Sequence, residues 1–133
     1  MEAFLEKIKS KTELEKIYSL GKVVFSSDKK IKANYIYTSR NIQPEFRYAV
    51  TISSKSGSSV WRNKFKRLIR ESMKSEIELI KEIVFMQESN LSIIFSPGRL
   101  KENIRKKIFL ADIKPAVIEI LQAVKSIKPG ETR

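Results

Sequence analysis

Arg62, Lys66 and Arg70 stand four residues apart, with Asn63 and Arg67 between them, a spacing that lines them along one side of a helix. Trp61, Phe65, Leu68, Ile69 and Met73 recur at helical spacing on the other side and form a buried stripe. The result is one amphipathic helix with an apolar back and a cationic front. Such a front binds phosphate. Planar guanidinium forks match phosphate oxygens, and so do the unpaired N–H groups where a helix opens, here at Gly57-Ser58-Ser59. The charge is local: Lys55 to Lys74 holds seven basic residues and one acid, whereas Glu76 to Asn90 holds one lysine and four glutamates. A basic stripe alone is as readily a solvated helix face. The repeated use of arginine, with Asn63 beside it, shifts the balance toward phosphate recognition.

The rest of the composition narrows the chemistry. With 27 Lys plus Arg against 15 Asp plus Glu, the 133-residue chain carries a formal charge of +12, which favours a polyanionic partner: nucleic acid first, an anionic membrane surface second. At 41% hydrophobic residues with 4 Gly and 4 Pro, it is a folding chain of single-domain size, 1–133, rather than a disordered basic tail. The absence of Cys and His removes disulfides, thiolate metal sites, the usual zinc ligand and the commonest general base. No apolar run approaches the roughly 20 residues that cross a bilayer. Met1-Glu2-Ala3-Phe4 lacks the basic start and apolar core of a signal peptide, so a cytoplasmic protein with no membrane partner is expected.

Elements must position that helix. Thr12 and Glu15 have capping-box spacing and predict a helix carrying Leu14, Ile17 and Tyr18 on one face, ended by a left-handed Gly21. Val23–Ser26, Asn34–Ser39 and Tyr48–Ser53 read as three strands of an antiparallel meander, with Tyr35 and Tyr37 on one side of the pleat. The helical period from Trp61 continues through Ile77, Ile80 and Val84, as one helix or as two broken near Lys74. Leu91–Ser96 reads as a short buried strand stopped by Pro97-Gly98. A last helical region carries Leu100, Ile104 and Ile108, then restarts at Asp112 to bury Val117, Ile120, Leu121 and Val124. Residues 1–10 and 126–133 read as frayed ends.

The stretch from Tyr48 to Glu71 resembles the signature of the bacterial ribonuclease P protein subunit. In that family a strand ends in lysines, turns at Gly-Asn-Ala-Val and enters a helix reading Arg-Asn-Arg, one variable residue, then Lys-Arg-Leu-Ile-Arg. Lys55, Gly57, Val60, Arg62, Asn63, Lys66, Arg67, Leu68, Ile69 and Arg70 match it in order. Lys64 stands where the family has its second arginine, which keeps charge and gives up bidentate geometry; Ser58-Ser59 replaces Asn-Ala, and Ser54 a common lysine. The segment 76–90 is longer than the family's connection.

The resemblance implies a single α+β sandwich of order αβββαβα, akin to a ribosomal-protein domain. Its four-stranded mixed sheet would contain a left-handed βαβ crossover, against the usual handedness. It also implies an RNA-binding subunit of an endoribonuclease that removes the 5′ leader of precursor tRNA. Lys55, Gly57, Arg62, Asn63, Lys64, Lys66, Arg67 and Arg70 would dock on the catalytic RNA, while Tyr18, Phe25, Tyr35 and Tyr37 would line a cleft for the leader. Mg²⁺ held mainly by RNA would carry the chemistry, with no catalytic or metal-ligating residue in the protein. The rival from another class is a structural, ribosomal-type RNA-binding protein without a role in cleavage. A helix-turn-helix DNA binder fits poorly, because a strand precedes the basic helix. A second cluster, Arg99, Lys101, Arg105, Lys106 and Lys107, matches no motif; it reads as the solvated side of the last helix slightly in preference to an extension of the RNA surface.

Overall fold

A computed structural model describes residues 5–39 and 45–127. The elements run β1 (Leu5–Lys7), α1 (Lys11–Leu20), β2 (Lys22–Phe25), β3 (Ile31–Ser39), β4 (Phe46–Val50), α2 (Ser59–Ser75), α3 (Ile77–Gln87), β5 (Ser89–Pro97) and α4 (Leu110–Ser126). They build one five-stranded sheet of order β1-β4-β5-β3-β2. The α+β class holds, with two corrections.

The first concerns the strand order. β5 lies between β3 and β4, antiparallel to β3 and parallel to β4, so only β2 and β3 form the expected hairpin. The reason lies in Leu91, Ile93, Ile94 and Phe95, all fully buried. A strand that is apolar on both pleat faces belongs at the centre of a sheet with both faces covered. The second concerns the N-terminus. Residues 5–7, expected to fray, pair in parallel with Phe46–Tyr48 and add a fifth strand. Ile8 is buried against α1's underside, and Arg47 ties the corner together through Nε to Glu6 and a terminal guanidinium nitrogen to Glu13, each at 3.1 Å. At the other end, α4 continues through Ser126, and 128–133 lie outside the described residues, as do residues 40–44 between β3 and β4.

The large core lies between the sheet and the layer of α2, α3 and α4; it gathers Tyr35, Phe46, Trp61, Phe65, Ile69, Met73, Ile93, Phe95 and the apolar stripe of α4. α1 covers the opposite face with a smaller cluster of Ile8, Ile17, Ala49 and Ile94. Its N-cap is Ser10, whose Oγ accepts from the Glu13 N–H, rather than Thr12. Gly21 ends α1 in extended backbone, φ −81° and ψ 176°, so a left-handed cap is not the reason for glycine there. Space is: an added Cβ would collide with the backbone oxygens of Ile17 and Tyr35.

α2 and α3 together form the crossover between the parallel neighbours β4 and β5. The long periodic segment is thus two helices, broken at Glu76, whose N–H donates to Met73 O in a tighter turn. The expected helix at Leu100–Ile108 is instead an irregular loop: Leu100 and Ile108 are buried, while Ile104, which shares their spacing, is 69% exposed.

Candidate nucleic-acid interface

The basic helix is held from both ends of its apolar stripe. Trp61, Phe65, Leu68, Ile69 and Met73 are buried, and the Trp61 and Phe65 rings stack at 6.0 Å. Each such side chain removed from water contributes about 1.5–3 kcal/mol. The N-terminus is set by Ser58, whose Oγ accepts from the Trp61 N–H. Before it, the Ser58 N–H donates to the Glu102 carboxylate at 2.7 Å, and the Glu102 N–H donates to Ser56 O at 2.8 Å. The N–H of Ser58, expected to face phosphate, is therefore already bonded within the protein. Gly57 is extended and sits where a Cβ would press on the Glu102 side chain and the Trp61 ring, so it permits this clamp.

With the stripe fixed, about 100° of rotation per residue decides where the cations fall. Asn63 and Arg67 occupy the exposed crest. Arg62, Lys66 and Arg70 run along one flank; Arg62 Nε donates to Gly57 O at 3.1 Å, and Arg70 borders a hollow shared with Leu5, Tyr48 and Lys74. Lys64 falls on the other flank, its Nζ 5.1 Å from the centre of the Phe109 ring. The front is thus a saddle over the whole outer half of the helix rather than one line. Arg67 faces Glu71 at 3.8 Å, an exposed pair contributing about 0.3–0.5 kcal/mol at most. Among the described residues Asn63, Lys66 and Arg70 have no side-chain partner, and Lys55 is exposed beside them in sequence on the connecting turn. A helix with its apolar side anchored and its guanidinium groups largely unneutralised is suited to a chain of phosphates.

The four aromatic residues expected in one cleft divide between the two faces of the sheet. Tyr35 is 2% exposed, its ring edge-on to Tyr37 at 6.1 Å, and the Tyr37 hydroxyl donates to Val124 O of α4 at 2.8 Å. Burial, with Tyr35 alongside, pushes the Tyr37 phenol above its ordinary range. Tyr35 belongs to the core under α4, and Tyr37, half-buried, packs against it. Tyr18 and Phe25 lie on the α1 side, since Phe25 opposes Lys32 and Val23 opposes Asn34, which in turn opposes the α1-facing Ile94. They are 46% and 42% exposed. Leu20 and Val23 between them are also exposed. Tyr18 Oη shares a hydrogen bond with Thr51 Oγ1 at 2.8 Å, and Lys29 Nζ sits 5.0 Å over the Phe25 ring. Asn34 Oδ1, buried on this face, has no hydrogen-bond partner among the described residues. A hollow of about 540 Å³ at the other end of α1 is lined by Ser10, Glu13, Lys16, Thr38, Arg47 and Asn90 and has no aromatic residue in its wall.

The unmatched basic cluster is where sequence reasoning missed a contact. It does not lie on a helix: the loop folds back on α2, with Arg105 O accepting from Trp61 Nε1 at 3.0 Å. The signal available in the sequence was Glu102, the lone acid among five cations from Arg99 to Lys107.

A family model described as Ribonuclease P matches residues 5–114. The chain belongs to the ribonuclease P protein family. It is 35% identical over 95 residues to the ribonuclease P protein component of Borreliella burgdorferi, covering 70% of this chain and 72% of that one. It is 35% identical over 68 residues to that of Staphylococcus haemolyticus, covering 51% and 55%. The chain therefore spans little more than half the length of the latter relative. Among solved structures, the Staphylococcus aureus RNase P protein superposes with a TM-score of 0.65 at 25% identity over 90% of this chain and 94% of that one. The Thermotoga maritima RNase P protein shares the fold, with a TM-score of 0.69 at 16% identity over 92% and 98%. α2 lies within the family match, which reaches Lys114 and so also includes the loop after β5.

Proposed function

We propose that the chain is the RNA-binding protein subunit of a ribonuclease P, and that α2 docks on the catalytic RNA while the α1 face of the sheet holds the 5′ leader of precursor tRNA. The observation that carries this reading is the saddle of Arg62, Asn63, Lys66, Arg67 and Arg70, anchored from behind and left largely unneutralised, in a chain that belongs to this family. The leader surface is Tyr18, Leu20, Val23 and Phe25 with Lys29, an open strip where bases stack and phosphates meet charge without sequence being read.

The protein's part in cleavage is affinity and positioning. The Mg²⁺ that carries the chemistry is assigned to RNA oxygens, the hard ligands that ion takes; among the described residues no group of three His, Asp or Glu side chains comes together. No helix among the described residues is long and apolar enough to cross a membrane.

The test is leader removal from a precursor tRNA by the organism's own ribonuclease P RNA at low Mg²⁺ and moderate salt. Added protein is expected to stimulate cleavage at the correct site, and Arg62→Ala with Arg70→Ala to abolish that stimulation while the variant stays folded. Tight RNA binding without stimulation would replace this reading by that of a structural RNA-binding protein.

A further inference from the structure

Arg99, Lys101, Arg105, Lys106 and Lys107 share one loop with a single acid, Glu102. Glu102 is turned inward, its carboxylate holding the Ser58 N–H and its own N–H bonded to Ser56 O. Arg105 is likewise committed, to Asp112 at 2.9 Å, while its carbonyl holds the Trp61 indole. The loop is therefore fixed at three hydrogen bonds to the first turn of α2 and the residues just before it, and at its root Arg99 N–H donates to Lys29 O at 2.7 Å. What remains outward is mostly cationic: beside Asn103 and Ile104, Arg99, Lys101, Lys106 and Lys107 are exposed and have no side-chain partner among the described residues. At the loop's end Phe109 is 54% exposed, with Lys64 of α2 beside its ring. A solvated loop has no need of so many anchors or of an exposed aromatic ring next to a cation.

We propose that the Arg99–Phe109 loop is a second RNA contact, continuous with α2 through Lys64, in which Lys101, Lys106 and Lys107 neutralise phosphates and Phe109 stacks on an unpaired base. This rests on the reading of α2 as the docking helix. The RNA is the catalytic one, because beyond its root beside Lys29 the loop packs on the start of α2, whereas the leader strip is on the α1 side. An arginine-rich helix binds a backbone by charge; the exposed ring adds a contact that only an unstacked base satisfies.

The experiment measures binding of the full-length protein to the organism's ribonuclease P RNA over a KCl series. Three variants are compared: Lys101→Ala/Lys106→Ala/Lys107→Ala, Phe109→Ala, and Arg62→Ala/Arg70→Ala. The triple lysine variant is expected to bind roughly tenfold to a hundredfold more weakly near physiological salt, with the slope of log K against log salt reduced by about two. Phe109→Ala is expected to bind roughly tenfold more weakly with its salt slope unchanged. Neither should alter the preference for leader-bearing over mature tRNA. Parental affinity and slope in both loop variants, with the arginine variant weakened, would overturn the loop's role and leave α2 docking intact. Parental affinity in all three would overturn both.

Discussion

The two faces of the sheet use the same kinds of side chain to opposite ends. Beneath α2, α3 and α4 the aromatic residues Tyr35, Phe46, Trp61, Phe65 and Phe95 are all buried, and even the Tyr37 hydroxyl is committed to a carbonyl of α4. On the other face one ten-residue helix covers only a small cluster, and Tyr18 and Phe25 stay exposed. Alternation along a strand is strict, so Tyr35 and Val24 turn to the filled face while Asn34 and Phe25 turn to the open one. A single-residue step in the pleat decides whether an aromatic ring holds the molecule together or is available to a partner. The open face exists because three helices crowd one side and one helix cannot cover the other.

The comparison breaks most easily at the filled face. Phe65 is fully buried in the core under the basic helix and stacks on Trp61. Phe65→Ala is expected to cost about 3–5 kcal/mol of folding stability, measured by urea unfolding, and RNA binding should fall with the folded fraction. A loss below about 1 kcal/mol would mean that α2 is not anchored through its apolar stripe.

A smaller effect sharpens the same face. Tyr37→Phe removes the bond to Val124 O and should cost about 1 kcal/mol near neutral pH. The phenol is held neutral by burial, so its folded-state pKa lies above its unfolded value. Its contribution is therefore full below the unfolded pKa of about 10 and declines as pH rises beyond it. The parent should lose stability above about pH 10 more steeply than Tyr37→Phe, so that the two converge. Parallel curves from pH 9 to 11 would show that the hydroxyl is wet, and with it that the filled face is not sealed.

How much of this was legible follows the same division. The basic helix and its buried stripe were plain, because a 17-residue amphipathic period leaves little choice of face. The parity of Tyr35 and Tyr37 was also plain; which face they would meet was not, since that depends on where α4 packs, some 87 residues away in sequence from Tyr37 to Val124. β5's place between β3 and β4 depends on pairings equally remote, and three residues at β1 carry too little pattern to stand out from a frayed end. Leu100, Ile104 and Ile108 imitate a helix period, but the chain there follows Glu102 and Arg105 to the start of α2 instead. Tertiary hydrogen bonds decided the loop, and local spacing could not show them.

The smallest effect on folding should come from the open face, and it tests what that face is for. Tyr18 and Phe25 make one exposed hydrogen bond and one exposed cation–π contact between them. Tyr18→Ala with Phe25→Ala is accordingly expected to change stability by no more than about 0.5 kcal/mol per site. Base stacking on such rings is worth about 1–3 kcal/mol per base, so the same variant should lose most of any preference for leader-bearing over mature tRNA while docking on the catalytic RNA is retained. The two effects must separate, because α2 and the strip lie on opposite sides of the sheet. A double variant that keeps its leader preference would move the leader site elsewhere. One that loses RNA docking as well would show that the two faces act as one surface, and that the division drawn from pleat parity does not extend to function.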